Sequence, residues 1–308
     1  MKPDEWWKNF ALGTELDVAG TFIYNGIKSL HDLEFLDQPV DIFEVLYGLS
    51  VGIERLLKVA VILIEHDDQI NIEGLEESLI THSTIELANR VQRHVDLGLA
   101  DIHREWLSLL AKFYKSYRYG RYTFRAVPAV FEEKRVFLEF LAKHLRLQVG
   151  DDEWGSLRNT NQIRGFVGKV VTRITDNVFK VVRQRATALN IYTTEIRGDS
   201  KAIKIFYGKR LDFIDETIKK KELLLFLMSQ KADGAHVQLL KSLDALELEP
   251  AMVPAYIKAL LNDLHLPYVG GVIDELYTEV TNASERLAVL GIMEDEHLSY
   301  GSGDETEI

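Results

Sequence analysis

Apolar residues recur at helical spacing through most of this 308-residue sequence. The longest such pattern runs from about Leu157 to Leu189, where branched side chains return every three or four residues: Val167, Val170, Val171, Ile174, Val178, Val181 and Val182. This spacing places them on one face of a helix, whereas a half-buried strand would alternate apolar and polar residues. The pattern therefore predicts an amphipathic helix packed against a larger core.

The same periodicity, broken by prolines and capping residues, predicts an all-α fold. Its further helices are expected at residues 11–33, 41–66, 83–95, 101–119, 128–145, 209–229, 236–246, 253–264 and 271–293. One segment is ambiguous: IYTTEI and KAIKIF flank a turn-like RGDS and form either one short β-hairpin or a helix broken by Gly198. We expect a helical bundle at residues 1–190, a smaller helical domain at 191–293, and an acidic, disordered tail at 294–308.

Composition excludes several kinds of site. The chain has no cysteine, so disulfides, thiolate catalysis and cysteine-ligated zinc are ruled out. The start, MKPDEWWKNF, lacks a signal-peptide pattern, and the longest strongly apolar stretch, Val59 to Ile64, is far too short for a membrane span. No phosphate-cradling, dinucleotide-binding or serine-hydrolase motif occurs, and no metal-ligand spacing is evident. We therefore expect a cytoplasmic protein without a metal, another cofactor or a membrane segment.

Positive charge is concentrated in the middle of the chain. The stretch from Lys112 to Arg185 contains sixteen Lys and Arg against seven Asp and Glu, although the whole chain has a formal net charge of −12. Such segregation can build an anion-binding surface on an otherwise acidic protein. The alternative is that acidic helices pair with the basic ones, because a segment of sequence need not form one surface patch.

Tyrosines and basic residues are interleaved in YKSYRYGRYTFR, which runs from Tyr114 to Arg125 and is called here the tyrosine-rich segment. Aromatic faces can stack on unpaired bases while cations hold phosphates, an arrangement typical of sequence-tolerant RNA binding. The candidate nucleic-acid contacts are Tyr114, Lys115, Arg118, Tyr119, Arg121, Tyr122 and Arg125. Packing of the tyrosine rings against neighbouring helices is the alternative.

Three passages of the N-terminal part resemble the HEPN superfamily, a group of helical bundles found in toxins, ribonucleases and defence proteins. LYGLSVGIERLLKVAVI is similar to the family's second helix, LITHSTIELANRV to the Thr-His passage before the next helix, and FYKSYRYGRY to the end of the third. The resemblance covers about residues 11–190, with a large insertion around residues 124–154. It implies an RNA or nucleotide ligand, a homodimer, and a role in a toxin–antitoxin or antiviral defence system.

The family's catalytic hallmark is an Arg followed, after a gap of four to six residues, by a His. In that pair the Arg stabilises phosphate charge and the imidazole transfers a proton as RNA is cut at a 2′-hydroxyl. No arginine here has a His at that spacing, and the nearest approach is RNTNQIR, where Arg164 stands in the place of the His. Because an arginine cannot act as a neutral base near pH 7, the candidate catalytic residues Arg158, Asn159 and Arg164 lack the standard nuclease pair. A solvated helix start is the alternative for Arg158 and Asn159.

Three functions are compatible with these features. The leading hypothesis is an RNA- or nucleotide-binding protein that is not an enzyme. The second is a metal-independent endoribonuclease whose site lies across a bundle or dimer and draws on Arg118, Arg121, Arg158 and one of His82, His94 or His103. The third is a helical interaction or inhibitory module with a protein partner, since an acidic surface can mimic or repel nucleic acid.

Overall fold

The computed structural model describes residues 3–66, 72–117, 122, 132–147, 157–191, 200–208, 211, 213–229, 235–262 and 267–291. Within these ranges the regular secondary structure is helical, and the one pairing of extended backbone is an isolated antiparallel bridge between Phe35 and Arg158. The predicted all-α class is confirmed. No helix in the described ranges is long and apolar enough to cross a membrane. The predicted tail at 294–308 lies outside them.

The chain divides into two compact units, Met1–Asp212 and Phe213–Ile308. The α-helices of the first unit are α1 (Pro3–Trp6), α2 (Leu12–Asp32), α3 (Pro39–Glu65), α4 (Ile72–Ser78), α5 (Thr84–Gln92), α6 (Asp101–Lys112), α7 (Glu132–Leu145), α8 (Asn161–Ala188) and α9 (Lys201–Tyr207). Two π-helical turns, Trp7–Ala11 and Phe113–Tyr117, precede α2 and continue α6.

The second unit is built from shorter helices. They are α10 (Ile214–Met228), α11 (Ala235–Ser242), α12 (Val253–Asn262), α13 (Pro267–Tyr277) and α14 (Ala283–Gly291), with a 3₁₀ turn at Pro250–Met252. Helix α12 packs against α10 and α13, and the Arg286 side chain of α14 donates to the Asp244 carbonyl at 2.6 Å. Several apolar side chains of α10 are more than half exposed: Leu223, Leu225, Phe226, Leu227 and Met228.

Helix α3 is the central element of the first unit. It contacts α2, α5, α6, α7 and α8, and most of its side chains are buried. A helix that is apolar on every face is expected inside a bundle rather than at its surface. Pro39 occupies the first turn, where its missing N–H costs no helical hydrogen bond, and the helix ends at Glu65 before extended backbone.

Small residues bring α2 and α3 into backbone contact. A Cβ atom on Gly52 would lie 2.6 Å from Ile23 Cγ1 and 2.8 Å from the Ala19 carbonyl oxygen, while a Cβ atom on Gly48 would lie 3.1 Å from Gly26 Cα. Larger side chains at these positions would push the two helices apart. The glycines therefore set the spacing of the central helix pair.

Of the two alternatives for the ambiguous segment, the β-hairpin is wrong for the part that the structure describes, because its second strand, KAIKIF, lies in helix α9. Ser200 caps that helix by accepting a hydrogen bond from the Ala202 N–H at 3.1 Å. Ala202 packs directly on Gly20 of α2, and Ile205 and Phe206 are buried at helical spacing. Residues 192–199 lie outside the described ranges. The first compact unit therefore extends past the predicted boundary at residue 190, to Asp212.

Candidate nucleic-acid interface

The tyrosine-rich segment begins on the π-helical turn that continues α6. Tyr114 and Lys115 lie on this turn, and Tyr122 is 86% exposed. The other predicted contacts, Arg118, Tyr119, Arg121 and Arg125, lie outside the described residues. The exposure of Tyr122 agrees with an external contact for that ring, whereas Tyr114 takes part in an aromatic stack.

The Tyr114 ring lies between two others. Its centroid is 6.1 Å from that of Tyr47 with planes 18° apart, and 4.7 Å from that of His82 with planes 43° apart. Tyr47 in turn stacks on Phe43, whose ring meets Phe113 edge-on. The stack fixes the end of α6 against α3, and the His82 imidazole is the last ring of this row.

A buried carboxylate orients His82. Its Nδ1 lies 3.3 Å and 3.2 Å from the two carboxylate oxygens of Glu54, whose side chain is 8% exposed, while the His82 side chain is 50% exposed. Lys58 donates to the same carboxylate at 2.6 Å. Because a carboxylate only accepts, Nδ1 carries the proton, and Nε2 is the nitrogen that can exchange a proton with a ligand. Glu54, Lys58, His82 and Tyr114 are called the His82 cluster.

The His82 cluster joins the three passages that carry the HEPN resemblance. Glu54 and Lys58 come from the first passage on α3, His82 from the Thr-His passage before α5, and Tyr114 from the end of α6. Lys115 adds a second link, because it pairs with Glu86 of α5 at 3.2 Å. Passages that are far apart in the sequence thus meet at one place in the fold.

His82 and Tyr114 are candidates from the sequence alone, but the sequence does not predict the cluster that they form with Glu54 and Lys58. Glu54 and Lys58 stand one turn apart in an otherwise apolar stretch, which reads as a pair that stabilises its own helix. Glu54 is buried, because its helix is packed on most sides. Its carboxylate therefore has a second partner besides Lys58, which is His82. A charged pair inside an apolar run was the signal that could have found it, since buried charges require partners.

The predicted catalytic residues lie at the junction of α2 and α8. The buried Asn159 side chain donates to the carbonyls of Leu30 and Leu33 at 2.6 Å and 3.0 Å. Arg164 donates to the Leu33 carbonyl at 2.7 Å, and burial lowers the pKa of its guanidinium. Arg158 is exposed beside them. These contacts give Asn159 and Arg164 a structural role in tying the two helices together, and their catalytic assignment stays a prediction.

Several basic side chains of the central stretch pair with carboxylates. Besides the Lys115–Glu86 pair, Lys143 and His144 of α7 approach Glu105 of α6 at 2.6 Å and 2.8 Å, and these contacts lower the pKa of Glu105. Exposed pairs of this kind contribute little stability. Their effect here is to neutralise part of the predicted basic surface, as the pairing alternative anticipated.

The other two candidate histidines lie away from the His82 cluster. His94 lies 3.6 Å from Glu65, which is also held by Arg90. His103 Nδ1 accepts from the Ala100 N–H at 3.1 Å, and burial lowers the pKa of its imidazole. In the part of the chain that the structure describes, no three His, Asp or Glu side chains lie together as a metal site would require. No protein-family model matches this sequence, and comparison with curated proteins and with solved structures finds no match.

Proposed function

We propose that this chain binds RNA or a nucleotide, as a HEPN-like member of a toxin–antitoxin or antiviral defence system that lacks the standard Arg–His nuclease pair. The observation that carries the proposal is the meeting of the three resembling passages at the His82 cluster. The tyrosine-rich segment starts from this cluster, so its aromatic and basic side chains begin beside a half-exposed imidazole. Stacking rings next to cations suit unpaired bases and their phosphates.

Salt dependence tests this proposal. Fluorescence anisotropy with labelled single-stranded RNA should give an affinity that falls steeply with salt, because each phosphate neutralised on a single strand contributes about −0.7 to the slope of log K against log salt. Changing Arg118 and Arg121 together to Ala should flatten that slope by about 1 to 1.5. The matched control removes two exposed cations of α10, Lys219 and Lys221, and should leave the slope unchanged.

The exposed ring of Tyr122 separates stacking from packing. Because this side chain is 86% exposed, Tyr122→Ala should leave the fold intact. If the ring stacks on a base, the variant should lose about 1–3 kcal/mol of binding free energy with little change in salt slope. Absence of RNA binding by the wild-type protein at low salt would remove the proposal and leave the protein-interaction module.

A second function is favoured by one observation, the contact between His82 and Glu54. A carboxylate that fixes the tautomer and orientation of an imidazole is an arrangement found in general acid–base catalysis. On this alternative the chain is a metal-independent endoribonuclease in which His82 transfers the proton and the cations of the tyrosine-rich segment hold the phosphate.

A further inference from the structure

A groove of about 650 Å³ lies between α8 and α9, on helices that do not contribute to the His82 cluster. Its size falls in the range of small-molecule sites. Lys180 and Arg183 of α8 line one side, and Phe206 and Tyr207 of α9 line the other. The groove therefore brings two cations and aromatic rings to one concave surface.

The aromatic side of the groove is held in place by packing. Phe179 and Phe206 are both buried and stack with centroids 4.5 Å apart, and Phe179 meets the Tyr207 ring edge-on at 5.5 Å. Tyr207 itself is 47% exposed. A half-exposed ring supported from behind by a buried pair offers a rigid surface on which a flat ligand can stack.

Arg183 is positioned by the same rings. Its guanidinium carbon lies 5.9 Å from the centre of the Tyr207 ring, within the distance of a cation–π contact. This contact orients the guanidinium without using its hydrogen-bond donors, which remain suited to a phosphate.

The described lining of the groove carries more positive than negative charge. Among the described residues that line the groove Asp176 is the one carboxylate, and neither Lys180 nor Arg183 forms an ion pair with another described residue. Lys169 and Arg173 are exposed on the same face of α8, two turns and one turn before Asp176 respectively. In a chain of net charge −12, such a row of cations ending at an aromatic groove indicates an anionic ligand.

We propose that the groove between α8 and α9 binds a phosphorylated nucleoside, with its phosphate on Lys180 and Arg183 and its base against Tyr207. The nucleoside is either a free nucleotide or one residue of an RNA strand, and in the second case Lys169 and Arg173 continue the phosphate path. The inference goes beyond the proposed function, because it rests on α8 and α9 and not on the tyrosine-rich segment.

Calorimetric titration of the full chain with AMP, and separately with a uridine decamer, tests the site. Lys180→Gln and Arg183→Gln should each weaken AMP binding about tenfold, because a charge-assisted hydrogen bond is lost. Tyr207→Phe should bind like the wild type, whereas Tyr207→Leu should bind more weakly. Lys169→Gln, which removes the same charge from the same helix outside the groove, should leave AMP binding unchanged and weaken only the decamer.

Two outcomes would overturn the inference. One is the absence of saturable binding of both probes to the wild-type protein up to about 1 mM. The other is an equal loss of AMP binding in Lys169→Gln and Lys180→Gln, which would reveal general attraction without a site. Since Arg183 contacts Tyr207, the thermal unfolding of each variant must be measured by circular dichroism. Lys180→Gln tests the charge of the groove without disturbing that contact. Insensitivity of AMP binding to Arg118→Ala and Arg121→Ala separates this site from the proposed function.

Discussion

At the scale of single residues, Asn159 provides the clearest test of a structural role. Its amide donates to two carbonyls at the end of α2, those of Leu30 and Leu33, from a side chain that is 3% exposed. Asn159→Ala would remove this donor from the Leu30 carbonyl and leave Arg164 as the side-chain donor to the Leu33 carbonyl, so we expect a loss of about 1–3 kcal/mol in the free energy of unfolding. Urea denaturation measures it. The exposed neighbour is the control: Arg158→Ala should change stability by less than about 0.5 kcal/mol, and equal effects would refute the assignment.

The contact between Glu65 and Arg90 makes the stability of the fold depend on pH in the acid range. Hydrogen bonds from Arg90 at 2.8 Å and 2.6 Å hold the pKa of Glu65 below its ordinary value of 4.5, and burial only partly opposes them. Since the folded-state pKa lies below the unfolded one, the ionised carboxylate stabilises the fold above about pH 4.5, and this contribution is lost as the pH falls through the folded value.

The temperature of the midpoint of thermal unfolding should therefore decrease as the pH falls below about 4.5, and it should decrease less steeply in Glu65→Gln. Glu86→Gln removes a carboxylate of an exposed ion pair and serves as the control, since exposed pairs contribute little. A Glu65→Gln profile parallel to that of the wild type would show that the Arg90 contact is not retained in solution.

The chemistry of single residues could be read from the sequence only in part. The alternation of Tyr and cations in the tyrosine-rich segment is local, so it could be recognised in the sequence. The partner of Glu54 was not, because His82 lies on a different passage and reaches it only through the packing of α5 on α3. The carbonyl partners of Asn159 and Arg164 on α2 are equally distant in sequence, so these contacts could not be predicted either.

At the scale of helices, the contact between α2 and α3 depends on the absence of side chains. A Cβ atom at Gly52 would meet the Ala19 carbonyl oxygen and the Ile23 nitrogen at 2.8 Å, and these backbone atoms cannot move without the helix. Gly52→Ala should therefore destabilise the fold by about 1–3 kcal/mol, measured by chemical denaturation.

Gly165 of α8 provides the matched control for Gly52→Ala, because a Cβ atom there would have nothing within 4 Å. Gly165→Ala should stabilise the chain by roughly 0.5–1 kcal/mol, since alanine restricts the unfolded chain and favours helix. If both variants shifted stability in the same direction, close approach of α2 and α3 would not be the reason for the glycines.

Helices were the part of the fold that the sequence determined best. Periodicity located α2, α3 and α8 because each repeats its apolar face over several turns. KAIKIF stayed ambiguous because six residues fit either period, and the helix is favoured by Ser200 at the cap and by the small residue Gly20 on α2. Neither Ser200 nor Gly20 lies inside KAIKIF itself.

At the scale of the whole molecule, we expect the chain to form a homodimer, as its HEPN resemblance implies. Trp6 is 57% exposed, and α10 exposes a run of apolar side chains that includes Leu223 and Phe226. Exposed apolar surface of this kind favours association. Light scattering at micromolar concentration should therefore report twice the chain mass of 35.2 kDa, and a mass of one chain would contradict the expectation.

The last prediction concerns catalysis: the wild-type protein should cut RNA weakly or not at all. The Arg-to-His spacing of the family is missing, and Arg164, which stands in the place of the His, donates to the Leu33 carbonyl. Positioned proton transfer is typically worth about 10²–10⁴ in rate, so electrostatic assistance alone would remain. Arg164→His restores the spacing, yet we expect this variant to remain inactive, because position 164 lies at the contact between α2 and α8.

Incubation of each protein with mixed RNA in the presence of a chelator, followed by analysis of the fragment ends, decides between binding protein and ribonuclease. Cleavage that persists in His94→Ala, disappears in His82→Ala and slows in Glu54→Gln would establish the second function, because His82 has the buried Glu54 carboxylate behind it, whereas His94 contacts the more exposed Glu65. Cyclic phosphate ends would then identify attack by the 2′-hydroxyl. RNA binding without cleavage by any of these proteins would instead favour the binding function. It would show that the oriented imidazole of the wild-type protein does not meet the phosphate of the bound RNA.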